Sequence, residues 1–142
     1  MKNLVERVRK CSWGQLLFLA STSGLISGLA FAVSAVYGCD AIEMHLTHGN
    51  VTELGSAVLA IYAFLGFGAT GFIAAFSSIY AIARRQTFSP LIITFIAFCI
   101  NLLGWFVPTG GYALLPFYAS LAIGVGLTIT LSFTRKQQQL AE

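Results

Sequence analysis

Five side chains that can bind metal ions or transfer protons fall within one short polar segment, at Asp40, Glu43, His45, His48 and Glu53. Carboxylate and imidazole groups are ligands of zinc and similar metals. In a helical turn, His45 and His48 would share one side, with Glu43 close by. The HExxH pattern that sets a general base beside a zinc ion is absent. We therefore predict no catalytic residues and interpret the segment as a solvated loop, with a weak metal site at Asp40, Glu43, His45 and His48 as the alternative.

Three glycines match the GxGxxG spacing of dinucleotide-binding proteins, Gly66, Gly68 and Gly71. That motif needs a preceding strand, a helix N-terminus facing the pyrophosphate and an acidic residue about 20 positions later. Here the glycines lie in an apolar run beside Phe67 and Phe72. We assign them to helix packing and predict no nucleotide cofactor.

The elements that carry these residues are long apolar runs. The chain is 57% hydrophobic and 9% charged, with a mean hydropathy of +0.82, whereas about a quarter of the residues of a soluble domain are charged. The runs lack a period-two pattern, and each approaches or exceeds the roughly 17 residues that a helix needs to cross a bilayer. We predict an all-α integral membrane protein, a single domain of residues 1–142, with an outer loop at about 38–54. Its four transmembrane helices would lie at about 13–37, 55–83, 91–107 and 112–133.

The basic residues predict an orientation for these helices. All eight lie in three stretches, residues 2–10, Arg84 with Arg85, and Arg135 with Lys136. Lys and Arg that flank membrane spans stay on the cytoplasmic side. Together with short connections between the runs, this predicts a four-helix up-down bundle with both termini in the cytoplasm. We expect a multi-pass protein of the cell membrane, which in a prokaryote would be the inner membrane.

The N-terminal segment allows one alternative. Basic residues followed by an apolar run also resemble a secretory signal peptide, with small residues for cleavage near Ala30 and Ala32. A secretory apolar core is usually 7 to 15 residues long and unbroken. Here the polar residues at 21–23 interrupt a run that extends over residues 13–37. We therefore favour retention of the first helix.

Small side chains form stripes along the predicted helices. In the first helix they recur at every fourth position, at Ala20, Gly24, Gly28 and Ala32. Gly71 and Gly124 belong to similar stripes on the second and fourth helices. Small residues let helix backbones approach closely, and close contact is what drives helix association in lipid. We predict that these six residues pack the helices of one monomer; the alternative is that they bind a second copy or a larger partner.

Ionisable groups are absent from all four runs, and the most polar residue within them is Asn101. Intramembrane carboxylates and histidines usually mark proton pathways or haem ligands. Their absence argues against a proton-coupled transporter and against a haem protein, and we expect no cofactor. For Asn101 we expect a hydrogen bond between helices, with contact to a solute as the alternative.

Two functions remain compatible with this sequence. The first is a non-enzymatic accessory or interaction subunit that acts through helix packing, with the lipid bilayer and other membrane proteins, or a second copy of itself, as partners. The second is a small oligomeric carrier or channel for a neutral or amphipathic solute, with Asn101 on the solute path. An enzymatic function would rest on the polar segment at 38–54 alone, and no nucleic-acid partner is indicated.

Overall fold

The computed structural model describes residues 2–46, 53–84, 89–104 and 114–139. Within these ranges the chain is helical and contains no strand. The helices are α1 (Lys2–Arg9), α2 (Trp13–Leu46), α3 (Glu53–Arg84), α4 (Pro90–Gly104) and α5 (Leu115–Gln139). Three segments are long and apolar enough to cross a membrane: Trp13–Gly38, Ala60–Arg84 and Leu115–Phe133. For the described residues, the prediction of an all-helical chain with several candidate membrane-spanning helices is therefore confirmed.

Helix α4 is the exception among the predicted spans. Its 15 residues extend over about 22 Å, whereas a bilayer core is about 30 Å thick. The helix begins at Pro90, where the missing N–H of proline costs nothing because the first turn has no acceptor for it. Helix α4 ends at Gly104, and the predicted remainder up to residue 107 lies outside the described residues.

The predicted outer loop at 38–54 is helical over part of its length. Helix α2 continues to Leu46 and helix α3 starts at Glu53. The residues between Gly38 and Leu46 include no proline, and alanine, glutamate, methionine and leucine among them favour helix. The apolar run thus ends before the helix does, because a helix needs apolar side chains only where it crosses the membrane.

A short helix precedes the first span, where the sequence predicts only a basic flank at residues 2–10. Helix α1 ends at Arg9, and helix α2 starts with a capping box. The Ser12 backbone N–H donates to Gln15 Oε1 at 3.0 Å, and the Gln15 N–H donates to Ser12 Oγ at 3.4 Å. This reciprocal pair satisfies two of the backbone donors that an α-helix leaves free at its start.

Helix α3 is the centre of the packing, because α1, α2, α4 and α5 all contact it. The most extensive interface is with α2, where glycine permits backbone contact. A Cβ atom added at Gly28 would lie 2.7 Å from the carbonyl oxygen of Gly68. One added at Gly24 would lie 2.7 Å from the Phe72 ring, and one at Gly71 would lie 2.9 Å from the Cβ of Phe31.

The distribution of polar and apolar side chains suits a hydrocarbon surrounding. Large apolar residues such as Phe18, Ile26 and Phe95 are at least 65% exposed, which water would not tolerate over whole helix faces. Buried hydroxyls instead bond to carbonyls of their own helix. Thr128 Oγ1, for example, donates to the Gly124 carbonyl at 2.8 Å. Such bonds pair the hydroxyl donors of these serines and threonines within their own helix.

Replacing Gly28 by alanine should destabilise the α2–α3 interface by about 1–3 kcal/mol, because the new methyl group would meet a backbone oxygen that cannot rotate away. The matched control is Gly126→Ala in α5, where nothing lies within 4 Å of the added atom. That change should be neutral or stabilising by up to about 1 kcal/mol. Reversible unfolding of both variants in mixed micelles measures the difference, and equal stability of the two would contradict the interface.

Candidate functional site

An open groove lies on helix α3, between α2 and α5. Both flanking helices pack against α3. They meet each other near Arg84, where the Trp13 and Phe133 rings stack with centroids 4.7 Å apart and an angle of 12° between the planes. We refer to this end of the bundle, which contains Trp13, Arg84 and Phe133, as the Arg84 end. The groove starts at Gly24, about 16 Å further along α2, and has a volume of about 560 Å³.

Small residues form part of the groove lining and large apolar residues the remainder. The small ones are Gly24, Gly28, Ala32, Gly68 and Ala69. The large ones are Leu25 and Leu29 of α2, Phe64, Leu65 and Phe72 of α3, and Leu114, Phe117, Tyr118, Leu121 and Val125 beside or in α5. Because the small side chains fill little space, an occupant can come close to the backbones of α2 and α3.

The lining of the groove is suited to binding an apolar occupant. The Tyr118 hydroxyl is the one polar side-chain group among the lining residues, and that residue is 68% exposed. The lining includes neither an acid–base pair nor a nucleophile that could assist a reaction. An apolar occupant such as an acyl chain or the face of a transmembrane helix would gain dispersion contacts on several sides at once.

Asn101 lies outside this groove, in the interface between α3 and α4. It is 3% exposed. Its Nδ2 donates to the Gly66 carbonyl and to Thr70 Oγ1, both at 3.1 Å. Thr70 Oγ1 in turn donates to the Gly66 carbonyl at 2.8 Å. The amide therefore links two helices, while Asn101 Oδ1 is buried without a hydrogen-bond partner among the described residues.

The small-residue positions named from the sequence lie at contacts between helices. Ala20 and Ala32 are at most 1% exposed. Gly24 and Gly28 face α3, as described above. An added Cβ at Gly124 would lie 2.8 Å from Ile73 of α3. In this structure the contacts along the α2 stripe are thus made within one chain.

The predicted metal ligands are only partly described. Asp40, Glu43 and His45 belong to the last turns of α2, but the positions of their side chains, and His48 altogether, lie outside what the structure describes. In the residues that were described, no group of three or more His, Cys, Asp or Glu side chains is placed to hold a metal ion. The metal site stays a prediction.

The side-chain cluster at the Arg84 end was not predicted from the sequence. The Arg84 guanidinium carbon lies 4.6 Å from the centroid of the Trp13 ring, and the Tyr80 ring is 6.0 Å from the same ring. Trp13 therefore contacts residues of α3 and, through Phe133, of α5. One feature of the sequence could have predicted this cluster. Trp13, Arg84 and Phe133 all lie at the ends of apolar runs that are expected on the same side of the membrane.

Comparisons of this chain with protein-family models, with curated protein sequences and with solved structures find no match.

Substitution of Asn101 tests the polar link between α3 and α4. Asn101→Leu should cost about 1 kcal/mol or less, since it removes two interhelical hydrogen bonds but also the buried Oδ1 that lacks a partner. Asn101→Asp should cost more than about 2 kcal/mol, because a buried carboxyl group would face the Gly66 carbonyl without the donors of the amide. Unfolding of both variants in mixed micelles would show this order, and the reverse order would contradict the assigned bonds.

Proposed function

We propose that this chain is a non-enzymatic accessory subunit of the cell membrane that binds another membrane protein by receiving one of its transmembrane helices in the groove on α3. In a prokaryotic source this membrane would be the inner membrane. The observation that carries the proposal is the groove itself, which is apolar, about 560 Å³ in volume and lined in part by glycine and alanine.

The lining favours a helix as the occupant. Glycine and alanine allow the backbone of an incoming helix to approach closely, and aromatic side chains such as Phe64 and Phe117 can pack against its sides. In lipid the gain comes from the number of close contacts, because exposed apolar surface is already solvated by hydrocarbon. A concave surface offers more contacts to a helix than the convex face of a single helix does.

Asn101 makes the carrier or channel the weaker alternative. A path for a neutral solute past Asn101 would need this side chain to face an open cavity, and it is 3% exposed. Its Nδ2 is occupied by Gly66 and Thr70, and the residue does not line the groove. The accessory function requires no such path.

The membrane arrangement that we propose for this function is an up-down bundle of α2, α3, α4 and α5 with both termini in the cytoplasm. Three of these helices have the length to span, and each consecutive pair among the four is in contact. The distribution of basic residues supports the orientation. Helix α4 would cross with a few residues beyond Gly104 or with local thinning of the bilayer.

The location of the C-terminus tests whether α4 crosses the membrane. A reporter fused after Glu142 should be active on the cytoplasmic side, because four crossings return the chain to the side of its N-terminus. Three crossings would place the same reporter outside. A matched fusion after Gly49, between α2 and α3, should report the outer side, and a cytoplasmic signal there would contradict the whole arrangement.

Filling the groove tests the binding function. Leu29 lines the groove and Ile26, one turn away on α2, does not; the two are 58% and 72% exposed. Leu29→Trp should lower the amount of partner recovered from gently solubilised native membranes about tenfold, because the indole would overpack the interface. Ile26→Trp should leave recovery unchanged.

Photocrosslinking identifies the occupant of the groove. A photoreactive phenylalanine at Tyr118, in the groove lining, should yield a discrete adduct with a different membrane protein, whereas the same group at Ile26 should not. An adduct of twice the mass of the chain would show that the occupant is a second copy of the chain and not a different protein. Crosslinks to lipid alone would contradict the accessory function and favour an amphipathic ligand.

A further inference from the structure

The Arg84 end holds a cation that the described protein does not neutralise. Arg84 is the last residue of α3, and its guanidinium stacks on the Trp13 ring. Its Nε and Nη2 atoms are buried and have no hydrogen-bond partner in the described part of the chain. The Tyr80 hydroxyl, one turn earlier on the same helix, is likewise buried and unpartnered, in a side chain that is 0% exposed.

These unpartnered groups imply a missing acceptor. A guanidinium that is withdrawn from water without an anion loses hydration that nothing replaces. Stacking on an indole ring recovers only part of that loss, because the interaction is worth about 0.5–2 kcal/mol. It leaves the N–H donors of the guanidinium without acceptors, because an aromatic ring face is a poor substitute for an anion. Arg84 as a whole is only partly buried, which leaves a route for an acceptor.

Helix α1 brings further positive charge to the same place. Val8 packs against the hydrophobic cluster that contains Tyr80, and Arg9 Nε donates to the Ile82 carbonyl of α3 at 3.5 Å. These contacts dock α1 beside the end of α3. Arg7, Arg9 and Lys10 remain exposed there, and Glu6 is the one acidic residue among residues 2–10.

We propose that the Arg84 end binds an anionic phospholipid, with the headgroup phosphate received by the Arg84 guanidinium and by the exposed cations of α1. The location favours a lipid. The site lies at the ends of the candidate spans Trp13–Gly38 and Ala60–Arg84, and lipid headgroups surround the ends of membrane spans. Basic residues at that depth attract anionic headgroups with about 1 kcal/mol each. Guanidinium groups also bind phosphate oxygens in pairs.

This lipid site is separate from the groove. The residues that line the groove begin at Gly24 on α2 and end at Phe72 on α3, two or more helical turns from Trp13 and Arg84. The lipid proposal therefore stands or falls independently of the helix-binding function.

Fluorescence quenching by brominated lipids tests the proposal. The chain has two tryptophans, so Trp105→Phe leaves Trp13 as the single reporter. The protein is reconstituted in bilayers that contain dibrominated phosphatidylglycerol or, in parallel, dibrominated phosphatidylcholine at the same mole fraction. At low ionic strength, quenching should show a preference for phosphatidylglycerol of at least about fivefold, the equivalent of one such basic contact.

Charge variants then locate the contact. Arg84→Gln should reduce the preference about fivefold, the loss of one basic contact. Lys2→Gln, which removes one charge from the far end of α1, should leave most of it. Arg84→Lys retains the charge but not the planar stack on Trp13, and should restore only part. Helical content measured by circular dichroism shows that each variant is folded. The ratio of quenching by the two lipids is taken for each variant, so that a change in the emission of Trp13 itself cancels.

Three results would overturn the proposal. Equal quenching by the two lipids would show that the site has no preference for an anion. An equal loss for Lys2→Gln and Arg84→Gln, with full recovery for Arg84→Lys, would show diffuse attraction by the basic segment. Displacement of the brominated phosphatidylglycerol by millimolar inorganic phosphate would assign the site to free phosphate, and persistence of quenching in its presence supports the lipid.

Discussion

Backbone contact between α2 and α3 is the constraint on which the rest of the structure depends. At Gly28 the two helices are so close that a single added carbon would lie 2.7 Å from the Gly68 carbonyl oxygen. In hydrocarbon, apolar side chains gain little by leaving the solvent, so that close packing must provide the attraction between helices. Glycine and alanine at this interface supply that packing because they remove the side chains that would hold the helices apart.

The groove follows from this close pairing and from the central position of α3. Helix α2 occupies one side of α3, while α4 and α5 contact α3 and each other. The rings of Trp13 and Phe133 join α2 and α5 at the Arg84 end, and beyond that point the space between the two helices opens. Glycines thus serve two purposes: they bring α2 onto α3, and they leave part of the groove lining without bulky side chains.

Polar groups are arranged by depth. Hydroxyls within the spans, such as those of Ser120 and Thr128, bond to carbonyls of their own helix and add little to the pairing of helices. Asn101 instead reaches from α4 to α3 and fixes the register of that pair. Arg84 lies at the end of the candidate span Ala60–Arg84, over the Trp13 ring. The groove and the cationic end therefore present different chemistry to the membrane.

The amino-acid sequence by itself determined the class of protein, because hydropathy and helix length are properties of each segment alone. It also identified Gly24, Gly28 and Asn101 as residues suited to helix contacts. Only the tertiary structure decided which helix each of them meets, and that a groove and a cationic cluster form. Those features depend on how helices are placed beside one another, and in lipid the apolar pattern carries little information about placement because buried and exposed faces are equally hydrophobic.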